Sequence, residues 1–213
     1  MKDKINVCFC DSLNLDCTNF DADLILIERR NKTLNFKREL SGQDQNLLTL
    51  SNFSKKFASP IFVAVKTDNY GQQKRSVAVF EHGKLLAICD ANFPTEKESL
   101  SFGYKVIKTT LGKIGVLVSK DIICPDAIKS LVMCESELIL NLFLDIYDFN
   151  VKSLIPSISY MYATPIISTG THGVLACESR GRIGFFSENA QSTFQLYTKR
   201  NLKIATIKTC TNI

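Results

Sequence analysis

The sequence predicts an α/β sandwich built as one domain, residues 1–213. Short apolar runs of strand length alternate with amphipathic helical stretches. Neighbouring strands are parted by tight-turn signals, which adds hairpins to the pattern. The chain has 213 residues, 45% hydrophobic and 22% charged. That is ordinary globular composition with enough length for a sizeable core, and it excludes disorder, a collagen and a coiled coil.

Element by element, Lys4–Cys10 alternates as a strand, and Ala22–Glu28 (ADLILIE) is a continuous apolar run of the kind buried on both faces of a sheet. Gln43–Ala58 reads as an amphipathic helix whose apolar residues are Leu47, Leu48, Leu50, Phe53 and Phe57. Pro60–Lys66 and Ser76–Phe80 are strands separated by the polar turn Thr67–Lys74, and Glu81-His82-Gly83-Lys84 turns the chain into Leu85–Cys89. Tyr104–Thr109 and Ile114–Val118 form a second hairpin about Leu111-Gly112-Lys113. A helix spans Pro125–Glu135 with proline in its first turn. Leu138–Phe143 is a buried strand, Ser153–Ala163 a helix and Pro165–Thr169 a strand. Leu175–Cys177, Ile183–Ser187, Thr193–Tyr197 and Leu202–Lys208 complete the β-rich end.

The net charge of +5 comes without a basic run, so it reads as solubility and not as nucleic-acid binding. The uncharged stretch Ser153–Cys177 is broken by Pro156, Pro165 and Gly170 and does not read as a membrane span. The apolar start ends at Asp11, too early for a signal peptide, and a cytoplasmic protein is expected. Eight cysteines are spread without a Cys-x-x-Cys pair, beside only two histidines, His82 and His172. Cys8 and Cys10 share a strand face, but with only Cys17 nearby they read as reduced core thiols, so neither a metal nor a cofactor is expected.

Three segments together resemble the nitrilase superfamily, the carbon–nitrogen hydrolases. Asp21–Glu28 (DADLILIE) is similar to the family strand that ends in a catalytic glutamate. Gly83–Phe93 (GKLLAICDANF) is similar to the segment carrying the catalytic lysine. Thr109–Asp121 (TTLGKIGVLVSKD), followed by Cys124-Pro125-Asp126, is similar to the turn bearing the nucleophilic cysteine; its Gly-Lys-Ile-Gly, Asp121 and Pro125 fall at the family spacing. The matches keep the family's order over roughly residues 4–190. The resemblance implies a four-layer α-β-β-α sandwich, here truncated at the first helix, since only Asp11–Phe20 separates the first strand from Asp21, and at the C-terminus.

In that family a cysteine thiolate attacks the amide or nitrile carbon, a glutamate moves the proton, and a lysine stabilises the developing negative charge. This chain has Ala91 at the lysine position and Ser119 at the cysteine position. Glu28 is the candidate base, although strict spacing from Ala22 places Arg29 on the glutamate. Phe93 stands where the family usually has histidine, and Glu96 or Glu98 falls in the region of a further family glutamate. Lys120 is the candidate substitute cation, while Asp121 and Pro125 read as shaping the turn into the helix. Cys124 reads as a small core thiol, and Thr169–Gly173 as a glycine-rich turn between strands.

The resemblance therefore implies a homologue with a dismantled triad that binds a small amide-like ligand or a partner. The alternative is a divergent amidohydrolase with Ser119 as nucleophile and Glu28 as base. A third reading is a structural subunit whose pocket is filled by Phe93. Family subunits pair through helices, so the helices at Pro125 and Ser153–Ala163 are the expected homodimer faces.

Overall fold

Side-chain alternation along the strands sorts the apolar residues into two faces, and both faces are buried. In the run Ala22–Glu28, Leu24 and Leu26 point into one apolar cluster while Ile25 and Ile27 point into another. A strand covered on both sides needs a sheet in front and a helix behind. The computed structural model describes residues 1–13, 21–93, 99, 101, 103–144, 149–170, 173–189 and 191–198, and it has that arrangement.

The strands are β1 (Lys4–Cys10), β2 (Leu24–Asn35), β3 (Ile61–Asn69), β4 (Gln72–Glu81), β5 (Lys84–Asp90), β6 (Lys105–Thr109), β7 (Gly112–Val118), β8 (Leu138–Leu142), β9 (Ile166–Gly170), β10 (Gly173–Cys177), β11 (Ile183–Ser187) and β12 (Gln191–Tyr197). They form two six-stranded mixed sheets, ordered β12-β1-β2-β3-β4-β5 and β11-β10-β9-β8-β7-β6. The helices are α1 (Phe36–Leu40), α2 (Asn46–Ser54), α3 (Pro125–Met133) and α4 (Phe149–Tyr162). Phe9, Leu26, Phe62 and Val79 of the first sheet meet Ile114, Val116, Leu140 and Val174 of the second. Leu50 of α2 packs behind the first sheet, and Ile128, Leu131 and Ile155 of α3 and α4 pack behind the second. This is the expected four-layer α-β-β-α sandwich.

Several boundaries differ from the sequence expectation for physical reasons. The polar turn Thr67–Lys74 is mostly strand: β3 and β4 stay paired as far as Asn69 and Gln72, and the chain reverses at Tyr70 and Gly71, both at positive φ. Thr67 is buried there and shares a 2.8 Å hydrogen bond with Ser76. The helix read as Gln43–Ala58 is shorter, Asn46–Ser54, because the Glu39 carboxylate caps its start by accepting from the N–H groups of Asn46 and Leu47 at 3.0 and 3.1 Å. Within it Leu48 is exposed, not buried. The second hairpin turns at Thr110-Leu111, since Thr109 already pairs with Gly112. Cys8 and Cys10 do share a buried face, toward α2. His172, Cys17, Glu96, Glu98, the strand expected at Leu202–Lys208 and most of Asp11–Phe20 lie outside the described residues.

No helix among the described residues is long and apolar enough to cross a membrane. Nor does any group of three or more His, Cys, Asp or Glu among them have metal-binding placement.

Candidate functional site

The site gathers where the parallel strands β7, β8 and β9 end, beside Glu28 within β2. Period two along β2 puts Glu28 on the same face as Leu24 and Leu26, toward the second sheet, and Arg29 in the opposite phase. Glu28 is buried. Its Oε1 accepts from the Phe143 backbone N–H at 3.0 Å and from the Thr169 hydroxyl at 2.5 Å. Its Oε2 accepts from Arg30 Nε at 3.0 Å, and Arg30 Nη2 also donates to the Leu144 carbonyl at 3.0 Å. The Arg30 guanidinium lies over the Phe143 ring, 5.2 Å from its centroid. Phe143 follows β8 in the left-handed region at φ 68°, so the chain turns sharply just after the N–H that meets the carboxylate.

Ser119 follows β7 at φ 57°, the backbone of a sharp elbow, and is buried. A 3-10 turn, Ser119–Ile123, leads from it into α3. The cation beside it is Arg75, whose Nη1 donates to Ser119 Oγ while Nη2 donates to the Phe93 carbonyl at 3.1 Å. Lys120 is exposed. Arg75 shares the face of Val77 and Val79, which point between the sheets. Across the strand pair, the Ala91 N–H donates to the Arg75 carbonyl at 2.9 Å, and the Ala91 methyl is buried in the same inter-sheet cluster. A positive charge is therefore present one strand away from Ala91, on a neighbouring residue. The sequence pattern hides Arg75, because Thr67–Lys74 reads as a polar turn; counting back by twos from Val77 puts Arg75 on the buried face.

Asp121 has no exposed surface. It accepts from the N–H groups of Asn92 and Phe93 at 3.0 Å, with a longer 3.4 Å approach from Val118 N–H, and so ties the segment after β5 to the elbow. Burial pushes its carboxyl pKa up, and these backbone donors pull against that shift. Phe93 is 48% exposed and does not fill the space between the sheets. Cys124 is half-buried against the outer cluster with α3 and α4, away from the inter-sheet face. Among the described residues no hydrogen bond joins Glu28 to Ser119. A pocket of about 470 Å³ opens at the Glu28 end, lined by Asp11–Leu13 and Glu28–Lys32.

No family model matches the sequence, and no curated protein matches it. Solved structures do match in three dimensions. The carbon–nitrogen hydrolase of Helicobacter pylori G27 superposes with a TM-score of 0.77 at 13% identity, over 92% of this chain and 90% of that one. Saccharomyces cerevisiae Nit3, a branch 10 member of the nitrilase superfamily, gives 0.72 at 14% identity, over 92% and 90%. A mutant amidase of Nesterenkonia sp. AN1 gives 0.69 at 12% identity, over 90% and 88%; its active-site cysteine carries the acetamide moiety of fluoroacetamide. At these identities the likeness speaks for architecture, and the architecture of this chain is the nitrilase-like α-β-β-α sandwich of the carbon–nitrogen hydrolases.

Proposed function

We propose that this chain is a non-catalytic homologue of the carbon–nitrogen hydrolases that binds a small ligand or a partner at the remnant of the site. The hydrogen bonding of its two polar centres carries the reading. A serine needs a base to take its proton as it attacks, and the Ser119 oxygen instead receives a guanidinium hydrogen from Arg75. Glu28 is engaged by Phe143, Thr169 and Arg30. Ala91 contributes a methyl where the family has its ammonium group.

One observation favours a second reading, a serine amidohydrolase. A buried elbow residue with a guanidinium on its oxygen has the charge needed to steady an oxyanion. Ser119 Oγ would bond to the carbonyl carbon, the C–N bond would break, and the amine would leave with the serine's proton through Glu28. Turnover of small amides, nitriles and carbamoyl compounds separates the two. We expect none from the natural protein, and activity only on restoring Ser119→Cys with Ala91→Lys. Natural turnover abolished by Ser119→Ala would establish the hydrolase instead.

A homodimer through the outer helices belongs to the same proposal. Met133 of α3 and Tyr160 and Met161 of α4 are exposed by 74, 70 and 72%, an apolar display on one layer. Sedimentation should show a dimer that Met161→Glu with Tyr160→Glu dissociates; a monomeric natural protein would refute the contact.

A further inference from the structure

Beta strand β2 does not end at Glu28. Glu28 pairs with Ala64 and Thr33 with Lys66, so β2 carries three extra residues over that interval and bulges outward. The displaced segment is Arg29-Arg30-Asn31-Lys32, three cations in four positions, and it forms one wall of the 470 Å³ pocket. Asp11, Ser12 and Leu13 line it as well.

The charges in this pocket are unevenly matched. Arg30 is held by Glu28 and the Leu144 carbonyl. Arg29 is half-buried with no hydrogen bond or ion pair among the described residues. Burial lowers its pKa, with no anion offsetting the loss of water. A guanidinium withdrawn from water and left unpaired is costly unless something supplies the missing acceptor. Lys32 adds a second, exposed cation on the same wall, and Leu13 adds an apolar surface. The volume suits a molecule of several heavy atoms better than a bare ion.

We propose that this pocket binds a small organic anion, its carboxylate or phosphate group held by Arg29 and Lys32 and its body against Leu13. The proposal names the ligand class for the remnant site and rests on reading the Glu28 end as a binding site. A planar guanidinium meets either oxyanion through two parallel hydrogen bonds, a geometry lysine cannot reproduce alone.

Titration calorimetry on the full chain tests it with succinate, its neutral counterpart succinamide, and phenyl phosphate. Succinate or phenyl phosphate should bind, and succinamide should bind at least tenfold more weakly. The tighter of the two anions identifies the group. Arg29→Gln and Lys32→Gln should each weaken anion binding about tenfold, the order expected for a charged hydrogen bond, with Arg29→Lys intermediate and melting temperatures unchanged. Equal affinity for succinamide, no binding of either anion, or Arg29→Gln binding like the natural protein would overturn the anion site. Amide turnover would sink the non-catalytic reading while leaving the binding result standing, so the two failures are distinguishable.

Discussion

Asp121 and Arg75 both tie the elbow to neighbouring segments, and their chemistry differs. Asp121 is a buried acceptor for backbone donors, so its carboxylate has a structural task that an amide performs badly. Asp121→Asn turns an NH2 group toward N–H donors and should cost about 1–3 kcal/mol of stability, read by urea unfolding. Because burial raises its folded pKa above the ordinary value of 3.8, the folded state holds its proton more tightly than the unfolded one. That contribution to stability is fully present below pH 3.8 and is lost as pH rises through the raised value. Urea unfolding as a function of pH should show this downward component in the natural protein and lose it in Asp121→Asn; identical slopes would contradict the assignment. At this scale the sequence was informative in an uneven way. Asp121 was readable from its spacing to Gly115 and Pro125, whereas Arg75 was hidden because its role depends on a contact from β4 to the end of β7.

The β7–α3 unit shows what the motif spacing encodes physically. Gly115 lies beneath α3, where an added Cβ would come within 3.1 Å of Leu131 Cδ1 and 3.2 Å of Ser136 Cβ. The second glycine of Gly-Lys-Ile-Gly is thus a packing residue that lets the helix approach the sheet. Gly115→Val should cost about 1–3 kcal/mol through overpacking, measured as a lower urea midpoint; an unchanged midpoint would show that α3 yields easily. This unit was legible because glycines, Pro125 and a strand-length apolar run all agree. Two other elements were not. Helix α1 has five residues and buries none of them, so it leaves no apolar period to detect. The extension of β2 runs through Arg29–Thr33, a polar stretch with no apolar alternation, and the burial of Leu34 marks its return to the sheet.

Across the whole molecule, two sheets and their helix layers sequester thiols to very different degrees. Cys8, Cys10, Cys89 and Cys177 are buried, and burial pushes the Cys89 and Cys177 thiols up to about 12, whereas Cys134 is exposed. Brief alkylation at neutral pH, mapped by peptide mass spectrometry, should therefore label Cys134 and leave these four unmodified until denaturant is added. Rapid native labelling of Cys89 or Cys177 would mean that the sandwich opens far more readily than its packing implies. The two-sheet architecture itself was readable in sequence, because continuous apolar runs demand cover on both faces. The site was less legible, since the motif spacing singles out Ala91 and Ser119 but gives no sign that Arg30 bonds Glu28 and Arg75 bonds Ser119. On the proposed non-catalytic reading Ser119 does no chemistry, and acylation of its hydroxyl is the measurement that decides. Intact-mass spectra after exposure to a p-nitrophenyl ester should show the same adducts for the natural protein and Ser119→Ala. A stoichiometric acyl adduct present in the natural protein and missing from Ser119→Ala would contradict it.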